Sequence, residues 1–346
     1  MTDTHIPIFT IIIPVTHSTE DLMRCLNSLE KIEYPADSFL VVLIDCGVIN
    51  GLEEFFRKSL VNYGIKIETF RLTDMPPGRP SGHKDARINE ARNYAVKRAP
   101  GIYYVFTEDD CTFAPDWLHK FEASLSEETG ALGGPDILPE GMEAFPRALD
   151  CILNSYLGTA GLRRGDGAAA ANKYYPRKCN MLIPAKVLAM AGDFPEDIFM
   201  AGEMYMAGRI RKAGFRIEFL PQNPVWHRRV TTFAKFISSA AHMAYEKVFL
   251  MRAEKTFFGS LHFLIFMATL MIIFMMLLSL TSSHARLLLA GIFGAYLSAL
   301  LITGASCSLR SHSLVVGAMA VFIMPLYQLG LISGVFRGVI AGRKLR

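Results

Sequence analysis

Charged residues are absent from long stretches at the C-terminal end of this chain. No Asp, Glu, Lys or Arg occurs in Thr256–Ala285, Leu287–Leu309 or Ser311–Phe336, and the single arginines Arg286 and Arg310 separate these runs. Each run exceeds the roughly 20 residues that a helix needs to cross a bilayer. The first run is too long and too uniformly apolar for the core helix of a soluble protein. The sequence therefore predicts a soluble N-terminal part followed by a membrane domain.

Motifs of several other protein classes are absent too. The 346 residues contain neither GxGxxG nor GxxxxGK[ST], which argues against dinucleotide oxidoreductases and P-loop enzymes. The six cysteines form no CxxC pair and no zinc-like spacing, so we expect a reducing compartment and no disulfide framework. The net charge of +4 is too small to indicate nucleic-acid binding. The N-terminus lacks a cleavable signal pattern, so we expect a multi-pass protein of the plasma membrane with a cytoplasmic soluble part.

Buried strands alternate with helices in the first part of the chain. This pattern predicts a doubly wound α/β domain with a parallel sheet. The predicted strands are Phe9–Val15, Phe39–Ile44, Ile65–Phe70 and Ile102–Thr107, and the predicted helices follow Ser18 or Thr19 and span about Leu52–Tyr63 and Ala86–Arg98. Ligands of such sheets gather beyond the carboxyl ends of the strands. Thr16, Asp45 and Glu108–Asp110 come at these ends.

The changes in composition predict three segments. Residues 1–230 form the α/β domain, residues 231–255 form a basic amphipathic segment beside the membrane, and residues 256–346 form a membrane domain with two to three transmembrane helices. Basic residues between Arg228 and Lys255 indicate a cytoplasmic flank near anionic lipid. Pro325 interrupts the third apolar run, which leaves open whether this run crosses the bilayer or re-enters it.

Three consecutive acids are the strongest candidates for chemistry. A predicted buried strand is followed by Glu108, Asp109 and Asp110. Their carboxylates repel one another, and a cation usually stabilises such a group. Hard oxygen ligands in a short turn suit Mg²⁺ or Mn²⁺ shared with a substrate diphosphate. The alternative is an exposed acidic helix start, because Pro115-Asp116-Trp117 begins a helix soon afterwards.

The order of the motifs resembles that of family 2 glycosyltransferases of the GT-A fold. FTIIIPV, Asp45-Cys46-Gly47, Ala91-Arg92-Asn93 and FTEDDCTFAPDWL follow one another as in that family. The similarity continues through Gly133-Gly134-Pro135, KCNMLIP, MAGDFPEDIFMAGEMYMAGRIRKAG and VWHRR, and it covers about residues 8–230.

The resemblance implies a role for each matching position on the donor side. Thr16 and Asp45 would hold the base and ribose of a nucleotide sugar, and Arg92 would face its diphosphate or position the acidic loop. Asp109 would also bind the donor. Asp110, with Glu108, would bind a Mg²⁺ or Mn²⁺ ion and the diphosphate. His227 and Arg229 would neutralise the departing diphosphate.

On the acceptor side, the resemblance implies that Asn180 binds the acceptor and that Glu203 is the base that activates its hydroxyl. The family usually has Glu-Asp where this chain has Glu203-Met204. The QxxRW element of chain-extending synthases is absent after Trp226, which favours transfer of a single sugar.

These observations predict a membrane-anchored, metal-dependent, inverting glycosyltransferase. It would move one sugar from a nucleotide-diphosphate sugar to a polyprenyl-linked lipid acceptor in polysaccharide or glycan biosynthesis. A polyprenyl-phosphate sugar synthase is a close alternative, since its acceptor phosphate needs no strong base. An inactive GT-A module that serves as a scaffold in a polysaccharide-export complex is an alternative of another class.

Overall fold

The computed structural model describes residues 6–46, 63–72, 87–159, 174–198, 200–229, 231–255 and 260–341. The helix predicted around Leu52–Tyr63 lies outside these ranges except for Tyr63. The chain divides into two compact units. The first contains residues 1–139 and 164–229, and the second contains residues 140–163 and 230–346. Residues 140–163 therefore group with the C-terminal helices, although they precede the last strands of the first unit along the chain.

A seven-stranded sheet forms the centre of the first unit, and a three-stranded sheet lies beside it. The strands are β1 (Phe9–Val15), β2 (Phe39–Asp45), β3 (Ile67–Arg71), β4 (Tyr103–Phe106), β5 (Cys111–Phe113), β6 (Thr129–Gly133), β7 (Asp136–Ile137), β8 (Met181–Pro184), β9 (Arg216–Phe219) and β10 (Val225–His227). The large sheet has the order β3-β2-β1-β4-β8-β6-β9, and the small sheet has the order β5-β10-β7.

The predicted α/β class is confirmed, but the sheet is mixed rather than wholly parallel. Strands β1 to β4 pair in parallel. Strand β8 is antiparallel to both of its neighbours, β4 and β6. Every residue of β1 and β2 is buried, as expected for β-branched strands covered on both faces. The carboxyl ends of β1, β2 and β4 thus lie at one edge of the sheet.

The helices are α1 (Thr19–Leu29), α2 (Ile88–Arg98), α3 (Trp117–Ala123), α4 (Ala144–Asn154), α5 (Tyr156–Thr159), α6 (Ala185–Ala191), α7 (Gly202–Lys212), α8 (Phe233–Ala253), α9 (Leu261–Leu278), α10 (Ser283–Ser311) and α11 (Leu314–Ile340). As predicted, Ser18 caps α1, because its Oγ accepts a hydrogen bond from the backbone N–H of Asp21. The apolar stripe of α1, from Leu22 to Leu29, is buried in the core.

Helices α8 and α11 pack closely in the second unit because glycines of α11 face the backbone of α8. A Cβ atom on Gly334 would lie 2.0 Å from the carbonyl oxygen of Ala241. On Gly330 it would lie 2.9 Å from the carbonyl oxygen of Ile237. Small residues at such a spacing let helix backbones approach one another, as in membrane helix pairs.

Two helices, α10 and α11, are long and apolar enough to cross a membrane. Only 11% of the most apolar window of α10 and 39% of that of α11 is buried, so neither is the enclosed core helix of a soluble protein. Large side chains such as Ile302 (70% exposed) and Phe322 (77% exposed) face outward. Helix α9 is apolar but shorter. An apolar surface of this extent is typical of a membrane-facing unit.

Two expectations about this unit are wrong. Cys151 of α4 and Cys307 of α10 form a disulfide, whereas the cysteine spacing predicts no disulfide framework. The two residues are 156 positions apart, and only the packing of α4 with α10 brings their Cα atoms to 5.9 Å. Helix α11 also continues through Pro325, so the interruption expected there does not occur.

Candidate active site

The acidic motif occupies the turn between β4 and β5. The side chains of Glu108, Asp109 and Asp110 are all buried, so the alternative of an exposed acidic helix start is wrong. Two hydrogen bonds of Thr107 hold the start of the turn. Its backbone N–H donates to the carbonyl oxygen of Ile12, and its Oγ1 donates to the carbonyl oxygen of Cys179. Buried carboxylates need charged or hydrogen-bonding partners. Those partners define the candidate site.

Asp109 connects the acidic turn to the end of β1. Its Oδ2 accepts hydrogen bonds from the backbone N–H groups of Thr16 (2.9 Å) and His17 (2.8 Å). Its Oδ1 lies 2.7 Å from Nδ1 of His17. The carboxylate is therefore fully engaged by the chain, and it fixes the half-buried Thr16 at the sheet edge.

Asp110 and Glu108 both face His227, the last residue of β10. Nε2 of His227 lies 3.2 Å from Oδ2 of Asp110 and 3.7 Å from Oε2 of Glu108. Lys178 provides a second cation, with its Nζ at 2.7 Å from Oε1 of Glu108. The structure thus brings together three of the residues that the sequence predicts for diphosphate and metal binding.

Two oxygens of this cluster are suited to a metal ion. Among the described residues, no donor forms a hydrogen bond with Oε2 of Glu108 or Oδ2 of Asp110, and both atoms are buried. One oxygen of each carboxylate and a ring nitrogen of His227 lie within 4.8 Å of one another. Because a buried acceptor that receives no hydrogen bond is unfavourable, these oxygens fit a divalent cation that prefers hard oxygen ligands.

The charges around the turn shift the pKa values of its members. Burial alone would raise the pKa of Asp110, but the charges of His227, His17 and Lys178 lower it below its usual range. Burial would lower the pKa of His227, but Asp110 and Asp136 raise it well above its usual value. For His17, burial is likewise outweighed, and Asp109 and Asp110 raise its pKa to about 9. The Asp110 carboxylate is therefore ionised, and the imidazoles of His17 and His227 are charged, at neutral pH. A metal ion bound to His227 would replace the proton of its imidazole.

Asp136 of β7 holds both predicted diphosphate-binding residues of the VWHRR motif. Its Oδ1 lies 3.2 Å from Nδ1 of His227 and 2.5 Å from Nη2 of Arg229. Arg229 has a φ of +50°, a left-handed backbone conformation that is unfavourable for a residue with a Cβ. Nη2 of Arg229 donates to both the carbonyl oxygen and Oδ1 of Asp136, which holds the guanidinium against β7.

Arg92 and Glu203 form a buried ion pair. Nη1 of Arg92 lies 2.9 Å from Oε1 of Glu203. Nη2 of Arg92 donates to the carbonyl oxygen of Lys178 at 3.1 Å. The guanidinium lies 5.7 Å from the ring centre of Phe106 and 5.3 Å from that of Phe194. Arg92 is thus connected to the acidic turn through Lys178, whose ammonium binds Glu108.

Two further predicted site residues, Asp45 and Asn180, differ in their surroundings. Asp45 is the last residue of β2 and lies opposite Val15, one residue before Thr16, at the same edge of the sheet. Asn180 is completely buried, where its amide donates to the carbonyl oxygen of Asn223 (2.8 Å) and accepts from the indole of Trp117 (3.1 Å). The structure thus gives Asn180 two interior partners, and its acceptor-binding role stays a prediction.

Three further residues around the acidic turn are not among those that the motifs predict, namely His17, Lys178 and Asp136. His17 directly follows the predicted Thr16, so its place after β1 was a usable signal. Asp136 follows the Gly133-Gly134-Pro135 turn but resembles an ordinary turn acid. Lys178 is the first residue of the KCNMLIP segment, but only the tertiary structure shows its contact with Glu108.

The chain is similar to several known proteins. No protein-family model matches the chain. The glycosyltransferase AglE of Haloferax volcanii is 24% identical over 222 residues, which span 63% of this chain and 66% of AglE. The poly(ribitol-phosphate) β-N-acetylglucosaminyltransferase TarS of Staphylococcus aureus is 30% identical over 122 residues, which span 34% of this chain but 19% of TarS.

Nearly the whole chain also matches a solved structure. It is the mannosyltransferase PcManGT from Pyrobaculum calidifontis in complex with GDP-Man and Mn²⁺, and it aligns with a TM-score of 0.61 and 18% identity over 98% of this chain and 89% of that one. The chain has the GT-A-type glycosyltransferase fold. At 18% identity this likeness shows the fold alone, and the chain spans about two thirds of the length of AglE and about a fifth of the length of TarS.

Proposed function

We propose that this protein is a membrane-anchored, inverting glycosyltransferase that moves a single sugar from a nucleotide-diphosphate sugar to a polyprenyl lipid acceptor. The main support for this proposal is a pair of buried oxygens at the edge of the sheet, on Glu108 and Asp110, that accept no hydrogen bond among the described residues. The apolar helices α10 and α11 support a substrate in the bilayer, since an enzyme held at a membrane meets lipid-borne acceptors there.

Glu108 and Asp110 would hold a Mg²⁺ or Mn²⁺ ion, which would supply positive charge to the donor diphosphate. Thr16 and Asp45, at the ends of neighbouring strands, would bind the nucleoside. His227 and Arg229 would add positive charge near the leaving group. Asp109 would contribute by fixing Thr16, and Arg92 would contribute by holding Lys178.

In the transfer step, an acceptor oxygen attacks the anomeric carbon from the side opposite the diphosphate. The new C–O bond forms as the bond to the diphosphate breaks, and the nucleoside diphosphate leaves. If the acceptor is a hydroxyl of a lipid-linked sugar, its proton passes to a base, and Glu203 would have this role. Asn180 would then bind the same acceptor.

A second candidate is a polyprenyl-phosphate sugar synthase, and the ion pair of Glu203 with Arg92 favours it. An oxygen already bound to an arginine is less free to accept a proton, whereas a phosphate acceptor is anionic from the start. Turnover of Glu203→Gln at saturating donor separates the candidates. Loss of a general base slows turnover by about 10²–10⁴-fold. Unchanged turnover in the folded variant favours the lipid phosphate.

Product analysis tests the proposed function itself. The purified full chain in lipid is incubated with Mn²⁺, radiolabelled GDP-mannose or UDP-N-acetylglucosamine, and either polyprenyl phosphate or extracted lipid-linked glycans. We expect one labelled sugar per lipid in the organic phase, and none with Asp110→Asn. The matched control is Asp116→Asn, whose half-exposed carboxylate pairs with Lys120. Donor binding without transfer to any lipid would contradict the proposal and favour the scaffold.

A further inference from the structure

Two buried thiols lie beside the acidic cluster and share one of its residues. One ligand atom each from Cys111, Cys179 and His227 lies within 4.8 Å of the other two. Both cysteines are almost completely buried and carry free thiols. The function proposed above uses neither of them.

The fold explains why these residues meet. Cys111 begins β5 and lies directly opposite His227 in the antiparallel pair of β5 and β10. Paired residues of this kind project on the same face of a sheet. Cys179 lies two residues before β8, a strand of the large sheet. One thiol therefore comes from β5 of the small sheet and the other from the segment before β8, and the imidazole of His227 completes the set.

The chemistry of this set differs from that of the acids. Two thiolates and an imidazole are the ligands that Zn²⁺ prefers, whereas Mg²⁺ and Mn²⁺ prefer carboxylate oxygens. Asp136 lies 3.2 Å from Nδ1 of His227. A carboxylate on one ring nitrogen commonly orients a zinc-binding histidine and leaves the other nitrogen for the metal.

We propose that Cys111, Cys179 and His227 form a second metal site, specific for a thiophilic divalent ion such as Zn²⁺. It shares His227 with the cluster of Glu108 and Asp110. Binding at the thiols therefore draws this imidazole away from Asp110. The proposal depends on the ligand set alone and stands whether or not the proposed sugar transfer is correct.

Cobalt titration tests this site because Co²⁺ replaces Zn²⁺ and reports thiolate ligation by a charge-transfer band in the near ultraviolet. The full chain in detergent, stripped of metal by a chelator, is titrated with Co²⁺ and then with Zn²⁺. We expect the thiolate band to appear and Zn²⁺ to abolish it. Cys179→Ser should lose the band and weaken Zn²⁺ binding by at least about 100-fold, the upper end of losses for mutated supporting residues.

Two further variants complete the experiment. Cys111→Ser should give the same loss, and it provides the test if Cys179→Ser does not fold, as judged by tryptophan fluorescence. Cys46→Ser is the control, since Cys46 is a buried free thiol at the end of β2 outside the cluster. A wild-type spectrum without the thiolate band would overturn the proposal. Retention of the band in the Cys111 and Cys179 variants, or its loss in Cys46→Ser, would also overturn it.

Discussion

Nη1 of Arg92 lies 2.9 Å from Oε1 of Glu203, and both side chains are buried. The pair joins α2 to α7, and the second guanidinium nitrogen continues the connection to the backbone of Lys178. Since Lys178 binds Glu108, the residue predicted as the base and the predicted metal ligand belong to one chain of contacts. Substitutions at Glu203 should therefore affect stability, whether or not this residue is the base.

Glu203→Gln should strongly destabilise the first unit. Removal of one partner from a buried ion pair typically costs about 3–5 kcal/mol, because the other charge remains buried without compensation. Both tryptophans, Trp117 and Trp226, belong to the first unit, so urea unfolding followed by tryptophan fluorescence reports on it. The control is Glu128→Gln, whose exposed pair with Arg216 should contribute about 0–1 kcal/mol. Equal losses in the two variants would contradict this structural role.

Asp109→Asn should loosen the segment after β1. The variant keeps one oxygen acceptor but loses the charge that faces His17, so we expect a loss of about 1–3 kcal/mol. Hydrogen exchange of the Thr16 and His17 amides should accelerate, because both donate to this carboxylate. Asp110→Asn is the control, since its carboxylate binds neither amide. Unchanged protection of both amides in Asp109→Asn would refute the assignment.

The stability of the first unit should depend on the ionisation of Asp21 below about pH 4. Burial alone would raise the pKa of Asp21, but hydrogen bonds from Ser18 and Arg24 lower it below its usual value. A lowered pKa in the folded state contributes stability above the unfolded value of about 4, and this contribution is lost as the pH falls through the folded pKa. Asp21→Asn should cost about 1–2 kcal/mol at pH 7.

Urea unfolding at several pH values measures this effect. The difference between wild type and Asp21→Asn should shrink below about pH 4, because the wild-type carboxyl then takes up a proton. The exposed Asp116→Asn serves as the control. A difference that is constant from pH 7 to pH 3 would show that the charge of Asp21 contributes nothing.

Gly334→Leu should disrupt the contact between α8 and α11. Even the Cβ atom would lie 2.0 Å from the carbonyl oxygen of Ala241, so the helices must separate. Overpacking of this kind typically costs about 1–3 kcal/mol. The aggregation temperature in detergent should fall, whereas Gly291→Leu on α10, where a Cβ meets nothing within 4 Å, should leave it unchanged. Similar temperatures for both variants would argue against this helix contact.

Much of the fold follows from local patterns in the sequence. The apolar β-branched runs predict β1, β2 and β4, because strands covered on both faces lack polar alternation. The acids after β4 indicate the site, since the carboxyl ends of parallel strands meet at one edge. The long uncharged runs predict α10 and α11 by length and composition alone.

The partners within the site could not be predicted in the same way. Sequence patterns do not distinguish Asp109, which binds the chain after β1, from Asp110, whose Oδ2 has no donor among the described residues. The pairing of Arg92 with Glu203 spans 111 positions, and that of Cys151 with Cys307 spans 156. Such contacts depend on how distant elements pack, and no local periodicity encodes them.

Donor binding with and without metal tests whether Glu108 and Asp110 hold a cation that binds the donor diphosphate. Calorimetric titration of the full chain with GDP-mannose and with UDP-N-acetylglucosamine, in Mn²⁺ or in EDTA, compares the wild type with Asp110→Asn and Asp116→Asn. We expect the wild type and Asp116→Asn to bind one of these donors in Mn²⁺ and to lose it in EDTA. Asp110→Asn should bind at least about 100-fold more weakly in Mn²⁺, since it lacks a metal ligand. Equal donor affinity in Mn²⁺ and EDTA, unchanged by Asp110→Asn, would contradict the account.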